Sequence, residues 1–210
     1  MDKFQLKTPV ALIIFKRPDT TRKVFEAIRQ AKPPKLLVVA DGPRIDRPDE
    51  AEKCAATRAI IEQVDWDCEV LKNYSDTNLG CGYRPATGIT WVFEQVEKAI
   101  ILEDDCLPHP NFFRFCDELL DKYQEDTRIM HISGNNFQFG RNCSNYSYYF
   151  SRYPHIWGWA TWRRAWDNFD FHLTELQNII QFNWLNDVLR DESQVRYWKQ
   201  KFQEVLKEKT

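Results

Sequence analysis

Glycine is scarce in this chain, with 7 in 210 residues, and the glycine-rich loops that bind phosphates are missing. No G-x-G-x-x-G follows the first apolar run, which argues against a dinucleotide oxidoreductase. The turn from Asn78 to Gly82 lacks the G-K-[ST] ending of a P-loop. Any phosphate-binding function must therefore rest on other residues.

Long apolar runs and a large net charge are also missing. The longest apolar run, residues 10–15, is far shorter than the roughly 18–20 residues that span a bilayer, and the N-terminus has no apolar signal region. A net charge of −2 provides no basic field for nucleic acid. The six cysteines form no C-x-x-C pair and no Cys/His metal spacing, so we expect reduced thiols in a cytoplasmic protein.

What is present is a regular succession of short apolar runs. They recur about every 30 residues, roughly the length of a βαβ unit, at residues 10–15, 35–40, 68–73 and 98–102. Helical patterns lie between them: one after Pro18 with Asp19 as its cap, one from about Asp49, and one that carries Ile89 and Val92. This order predicts an α/β fold with an open, mostly parallel sheet flanked by helices.

The remainder of the chain has a different texture. We predict a helix over residues 112–123 and a fifth strand over residues 128–132. A loop-like segment crowded with aromatic residues follows, and residues 174–209 are predicted to be helical and amphipathic. The fold therefore ends in an aromatic-rich C-terminal segment.

Three acids, Glu103, Asp104 and Asp105, follow the fourth apolar run directly. Adjacent carboxylates repel one another and need a counter-ion. In open α/β sheets ligands bind beyond the carboxyl ends of the strands, and an oxygen-rich cluster there suits Mg²⁺ or Mn²⁺ held by one or two carboxylates plus phosphates. The alternative is that one acid caps the helix that starts near Pro110 while the others are solvated.

Other predicted strand ends supply polar residues to the same edge. Arg17 follows the first strand, Asp41 the second and the turn at Asn78 the third, with Arg84 shortly after it. Because guanidinium groups match phosphates bidentately, Arg17 and Arg84 are candidates for diphosphate or base contacts, and Asp41 is a candidate for nucleotide binding. The alternatives are surface ion pairs for the arginines and a turn role for Asp41.

Four tryptophans lie close together in the aromatic-rich segment. Sugars stack their apolar faces on aromatic rings, so Trp157 and Trp159, which flank Gly158, are candidates for a sugar site. Trp162 and Trp166 have the i, i+4 spacing of one helix face and are expected in the core. The alternative for all four is that they pin a loose segment onto the sheet.

Together these motifs resemble the nucleotide-diphospho-sugar transferases of the GT-A fold, over nearly the whole chain. The likeness is to the broad family-two glycosyltransferases and, more closely, to bacterial HlpA-like glycosyltransferase proteins. ALIIFKRP and VVADGPR resemble the family's first two strand ends, and NLGCGYRPATGITW resembles its N-x-G turn and the following helix. LEDDCLP resembles its D-x-D-type metal motif. The EDD-x-x-x-x-P-x-FF and GWATWRRAW segments are also similar to the N-acetylglucosaminyltransferase I family.

The resemblance implies a metal-dependent glycosyltransferase with a UDP-sugar donor, a glycan or lipid-linked acceptor and inversion at the sugar. Asp105 would ligate Mn²⁺ or Mg²⁺. The residues that would contact the nucleotide sugar are Phe15, Arg17, Asp41, Asn78, Gly80, Arg84, Glu103 and Asp104. Trp157, Gly158 and Trp159 would line the sugar and acceptor side.

The same resemblance implies one domain over residues 1–210, with a nucleotide-sugar part (1–133) and an acceptor part (134–210). It leaves peripheral membrane association and the oligomeric state open.

No general base is evident in the sequence. Family members supply it from an acid after the aromatic stretch, and no spacing singles out Asp167, Asp170 or Glu175 for that role. We expect either a truncated form whose base lies beyond residue 210 or a natural form without it. Two other functions stay open: a non-catalytic nucleotide-sugar binder, and a nucleotidyltransferase, which the glycine-free KRPDTT turn disfavours.

Overall fold

A computed structural model describes residues 4–141 and 145–209. Its strands are β1 (Val10–Ile14), β2 (Lys35–Ala40), β3 (Glu69–Tyr74), β4 (Lys98–Glu103), β5 (Ile132–Ser133) and β6 (Trp159–Trp162). They form one sheet in the order β3-β2-β1-β4-β6-β5. β1 to β4 are parallel, whereas β6 is antiparallel to both its neighbours. The predicted open, mostly parallel, Rossmann-like sheet is therefore confirmed.

The first three helices connect the parallel strands as the sequence predicts. The α-helices are α1 (Pro18–Ala31), α2 (Asp49–Ala59), α3 (Tyr83–Gln95), α4 (Pro110–Lys122), α5 (Arg163–Trp166), α6 (Leu176–Gln181), α7 (Trp184–Leu189) and α8 (Glu192–Lys209). The missing N–H of Pro18 suits the first turn of α1. Asp19 also lies in that first turn, and the capping position belongs to Arg17, so the prediction of an Asp19 cap is wrong.

Both faces of the sheet are covered, as expected for parallel strands with continuous apolar runs. On one face α3 packs over a core cluster, which consists of Ala11, Ile13, Leu37, Val39, Ile89, Val92, Phe93, Ala99, Ile101 and Trp159. The alternate strand residues, such as Leu12, Val38 and Ile100, are equally buried. Since successive side chains of a strand point to opposite faces, the second face is covered as well.

The predicted fifth strand over residues 128–132 is wrong in extent, because only Ile132 and Ser133 pair as β5. Side chains bind the carbonyls that a longer strand would have used. Thr161 Oγ1 donates to the Met130 carbonyl at 2.7 Å, and Arg164 Nη2 donates to the Ile129 carbonyl at 3.0 Å. Backbone groups satisfied in this way do not require a ladder partner.

β6 is a strand that the sequence analysis treats as loop. It lies between β4 and β5, with Trp159 opposite Ile101 and Trp162 opposite Lys98. Trp162 ends this strand and Trp166 ends α5, so the predicted helical spacing between them is wrong. Their predicted place in the core is confirmed, because Trp162 is buried and Trp166 packs against the core cluster.

The chain divides into two compact units, each described by itself. The first, Met1–Asn142 with Pro154–Asn168, contains the whole sheet. The second, Cys143–Tyr153 with Phe169–Thr210, contains α6, α7 and α8. The helical character predicted for residues 174–209 is thus confirmed as three helices. Asn183 and Arg190, with φ of 56° and 55°, separate them. The assignment of 1–133 and 134–210 to donor and acceptor stays a prediction.

The cysteines of the described residues form no disulfide, and Cys143 lies outside those residues. Of the helices in the described ranges, none combines the length and the apolar character that a membrane crossing requires.

Candidate functional site

Five strands bring residues to one edge of the sheet, which we call the carboxyl edge. Residues 15–17 follow β1, residues 41–44 follow β2, and residues 78–80 lie in the loop after β3. β4 ends at Glu103, so Asp104 and Asp105 lie just beyond it. Because β6 runs antiparallel to β4, the residues before it, Trp157 and Gly158, reach this edge too.

Arg17 pairs with two of the three acids at the end of β4. Its Nη1 donates to Asp105 Oδ2 at 2.8 Å, and its Nη2 donates to Asp104 Oδ1. Asp104 is buried and also accepts from the Phe15 backbone N–H at 3.3 Å. Burial raises the pKa of Asp104, although Arg17 opposes that rise. A half-exposed cation and two acids therefore join the ends of β1 and β4.

Glu103 has a different environment from its two neighbours. It is partly buried, and its carboxylate has no hydrogen-bond partner within the described residues. Burial raises its pKa, and repulsion from Asp105 and Asp104 adds to the rise. Glu103 is therefore the acid of the three whose charge is least compensated, and it faces the carboxyl edge.

The carboxylate of Asp41 organises the loop after β3. It accepts from the backbone N–H of Gly42 at 2.9 Å, of Leu79 at 2.8 Å and of Gly80 at 3.1 Å, and from Asn78 Nδ2 at 2.8 Å. A carboxylate offers about four lone-pair positions, so the chain itself occupies the acceptors of Asp41. The turn role named as the alternative for Asp41 therefore accounts for its observed contacts.

Two glycines allow this loop its shape. Gly80 has φ of +86°, a conformation that side chains rarely adopt. A Cβ on Gly42 would lie 2.5 Å from the backbone nitrogen of Thr77. The loops after β2 and β3 can therefore approach this closely only because residue 42 has no Cβ.

Arg84 is buried, and its contacts tie strand ends together. Its Nε donates to the Ala40 carbonyl at 3.2 Å, and its Nη2 donates to Asn73 Oδ1 at 2.8 Å and to the Asn73 carbonyl. Burial lowers the pKa of this guanidinium. Within the described residues, neither the surface position nor the acid partner named as the alternative for Arg84 is observed.

Glu50, in the first turn of α2, is a site residue that the sequence analysis missed. Its carboxylate is buried and accepts from Lys16 Nζ and from Arg44. Hydrogen bonds from Lys16 lower the pKa of Glu50 to about 2, against the opposing effect of burial and with help from Arg44. The sequence signal was present, since an acid in a first turn follows a loop with two basic residues, but spacing alone does not show which cations it meets.

Two cavities open at the carboxyl edge. The β1–β2 cavity has a volume of about 380 Å³, and its lining includes every residue that the resemblance assigns to the nucleotide: Phe15, Arg17, Asp41, Asn78, Gly80, Arg84, Glu103 and Asp104. Arg44 also lines it. The β4–β6 cavity has a volume of about 550 Å³ and is lined by residues 105–109 together with Leu102, Phe112, Gly134, Asn135, Trp157 and Gly158. Glu103 and Asp104 thus line the β1–β2 cavity, and Asp105 lines the β4–β6 cavity.

The structure separates the two tryptophans that flank Gly158. Trp157 is 67% exposed and lines the β4–β6 cavity. Trp159 is 8% exposed, and its ring stacks on His131 with 4.7 Å between centroids. The expectation that Trp159 lines the sugar side is corrected here, because β6 directs this ring into the core cluster.

A divalent cation was expected at Asp105. Among the described residues, no three His, Cys, Asp or Glu side chains are grouped to hold a metal ion. Asp105 by itself is accessible, with a side chain 46% exposed. Mg²⁺ is commonly bound by one or two carboxylates together with substrate phosphates and waters. The residues therefore fit an ion that binds with a diphosphate, and not one held by the protein alone.

Comparisons with known proteins show no relative in sequence. The chain matches no protein-family model and no curated protein, so its resemblance to GT-A glycosyltransferases stays a prediction. Several solved structures match this chain, among them two enzymes. One is 4-diphosphocytidyl-2C-methyl-D-erythritol synthase from Anaerococcus prevotii, with 11% identity, a TM-score of 0.43 and 84% of each chain covered.

The other is a UDP-glucose pyrophosphorylase complexed with UDP-glucose. Its identity is 15% and its TM-score 0.35, with 60% of this chain and 56% of that chain covered. At these values neither likeness informs the reaction of this chain.

Proposed function

We propose that this chain binds a nucleotide-diphospho-sugar across the end of β4 and transfers the sugar to a glycan or lipid-linked acceptor. The observation that supports the proposal is the pair of cavities on the two sides of one acidic strand end. A nucleotide sugar has two bulky parts joined by a diphosphate, and this shape suits two cavities that share a charged border. The nucleoside would occupy the β1–β2 cavity and the sugar the β4–β6 cavity.

The residues at the border have the chemistry that a diphosphate requires. Arg17 offers a planar, half-exposed guanidinium, which matches phosphate oxygens bidentately. Asp105 would ligate Mn²⁺ or Mg²⁺, and such an ion would act as a Lewis acid on the departing diphosphate. Trp157 presents an exposed ring on which the apolar face of a sugar can stack.

One observation favours a second function, non-catalytic binding of a nucleotide sugar. Asp105 is the only carboxylate that lines the β4–β6 cavity in the described part of the chain. Inverting transfer needs a positioned base for the acceptor hydroxyl. Asp170 is engaged locally, accepting from the His172 N–H at 3.0 Å and from Thr174 Oγ1 at 2.8 Å. A binder needs no base.

Calorimetric titration with UDP, with and without Mn²⁺, tests the binding half of the proposal. We expect wild type to bind UDP, and Mn²⁺ to strengthen binding by about tenfold or more. Asp105→Asn should keep UDP binding and lose the strengthening by Mn²⁺. Asp76→Asn, which changes an exposed acid of the loop after β3, is the matched control. Absence of UDP binding, or equal strengthening in wild type and Asp105→Asn, would contradict it.

Product analysis separates the possible reactions. Release of UDP from a UDP-sugar in the presence of acceptor glycans indicates sugar transfer. Binding without release indicates the non-catalytic function. Release of inorganic diphosphate from a nucleoside triphosphate and a sugar phosphate indicates nucleotidyl transfer, the further alternative named from the sequence.

A further inference from the structure

Arg44 and Lys16 share one buried acid, Glu50. Arg44 donates from Nε to Glu50 Oε2 at 3.2 Å and from its backbone N–H to Oε2 at 3.1 Å, and its Nη2 lies 2.8 Å from Oε1 in an ion pair. Lys16 Nζ donates to Oε1. Glu50 is 2% exposed, so these donors account for its burial. The carboxylate joins the loops after β1 and β2 and fixes the Arg44 side chain.

This cluster carries an excess positive charge. Two cations face a single carboxylate, which leaves a net charge of +1. The group around Arg17 has a net charge of −1, because one cation faces two carboxylates, Asp104 and Asp105. The two groups lie at the ends of neighbouring strands. An anion is therefore attracted to the Arg44 side of the β1–β2 cavity, and a cation to Asp105, which lines the β4–β6 cavity.

Arg44 is also free to bind a ligand. Its side chain is 44% exposed and lines the β1–β2 cavity. Glu50 engages Nε and Nη2, while Nη1 contacts no acceptor among residues 4–141 and 145–209. The guanidinium is thus held in one orientation with donors left for a second partner, which lowers the entropy lost on binding.

We propose that Arg44 binds a phosphate of the nucleotide in the β1–β2 cavity and that Glu50 positions it. The inference rests on the proposed function and adds an anion-binding residue and its positioning residue to that site. Only the phosphates of a nucleotide sugar carry negative charge at neutral pH, so they are the groups that an excess positive charge selects.

Paired titrations with UDP and uridine test this inference, because the two ligands differ only in the diphosphate. We expect Arg44→Met to weaken UDP binding by about 10- to 100-fold, the range for a charge-assisted hydrogen bond, and to leave uridine binding unchanged. Arg44→Lys, which keeps the charge, should restore part of the UDP affinity. Arg47→Met, in the same loop and with a 3.8 Å ion pair to Asp46, is the matched control.

Glu50→Gln tests the positioning role. It removes a negative charge, so a purely electrostatic effect would strengthen UDP binding. Positioning predicts the opposite, a UDP affinity weaker by about 3- to 10-fold with uridine unaffected. Stronger UDP binding by Glu50→Gln would overturn the role of Glu50.

Three other results would each overturn the phosphate contact of Arg44. Equal losses of UDP and uridine binding in Arg44→Met would show a structural role and overturn the phosphate contact. If wild type binds neither ligand, the proposed function fails and this inference with it. If wild type binds UDP and Arg44→Met does so equally well, this inference alone fails.

Discussion

The guanidinium of Arg17 donates to Asp105 across the gap between the ends of β1 and β4, with 2.8 Å from Nη1 to Oδ2. The same guanidinium binds Asp104, so two of the three adjacent acids share one internal counter-ion. Their mutual repulsion is therefore offset within the chain. A phosphate that draws Arg17 away would release Asp105 for a cation, which links the two ligands physically.

The first prediction concerns this counter-ion. Arg17→Met leaves the buried Asp104 without its cation, and should lower the free energy of unfolding at pH 7 by about 1–3 kcal/mol, below the value for fully buried pairs because Arg17 is half exposed. Burial already raises the pKa of Asp104, and loss of Arg17 raises it further. Protonation at lower pH therefore relieves the penalty. Urea unfolding of wild type and Arg17→Met at pH 7 and pH 5 measures this loss of stability.

Arg22→Met, which changes an exposed residue of α1, is the control for this experiment. A penalty of the same size at both pH values would show that lost packing, and not an uncompensated carboxylate, is responsible.

The second prediction concerns Asp41. Asp41→Asn replaces one acceptor oxygen by an amide donor, which then faces N–H groups of the loop after β3. We expect unfolding to require about 2–4 kcal/mol less, because buried donors lose their partners. Chemical denaturation measures the loss. A decrease below about 0.5 kcal/mol, the scatter of surface substitutions, would contradict the organising role of Asp41.

The third prediction uses the tryptophans on either side of Gly158 as a matched pair. Trp159→Ala should lower the free energy of unfolding by about 3–5 kcal/mol, since it empties part of the core cluster. Trp157→Ala should change it by less than about 1 kcal/mol, because the ring is mostly exposed. Sugar binding should show the reverse order. Equal stability losses would contradict the placement of the two rings.

The fourth prediction concerns the pH dependence of stability. Folding lowers the pKa of Glu50 from 4.5 to about 2. A depressed pKa contributes stability above the unfolded value, and that contribution disappears as the pH falls through the folded value. The difference in melting temperature between wild type and Glu50→Gln should therefore be constant above about pH 5 and vanish towards pH 2.

Thermal scans of both proteins between pH 2 and pH 7 check this. Because the other acids contribute equally to both proteins, their contributions cancel in the difference. A difference that stays constant down to pH 2 would show that Glu50 contributes through packing alone.

The sequence predicts the sheet well because its signal is local. Continuous β-branched runs mark β1, β2 and β4, and the polar residues after them mark the carboxyl edge. Strand ends that meet at one edge also make the lining of the β1–β2 cavity predictable. The sequence does not predict β6, because this strand has only four residues and its antiparallel partner, β4, is distant in the sequence.

The roles of individual side chains were less predictable. Asp41 and Arg84 lie where the sequence indicates, yet their hydrogen-bonding capacity serves the chain's own loops and strand ends. Trp157 and Trp159 look equivalent in the sequence. β6 begins at Trp159, so Trp157 is exposed before the strand and Trp159 is buried within it. Glu50 gained its importance from two cations on other loops.

The sequence by itself determined the four parallel strands, the order of those strands and their connecting helices along the chain, and which residues follow each of them. Those features depend on periodicity and on neighbours a few positions away. Only the tertiary structure decided which charges meet, because Arg17 and Asp104 are 87 positions apart and Lys16 and Glu50 are 34. Both pairings depend on the strand order of the sheet, which places β2 and β4 on the two sides of β1 and brings together residues that no local pattern relates.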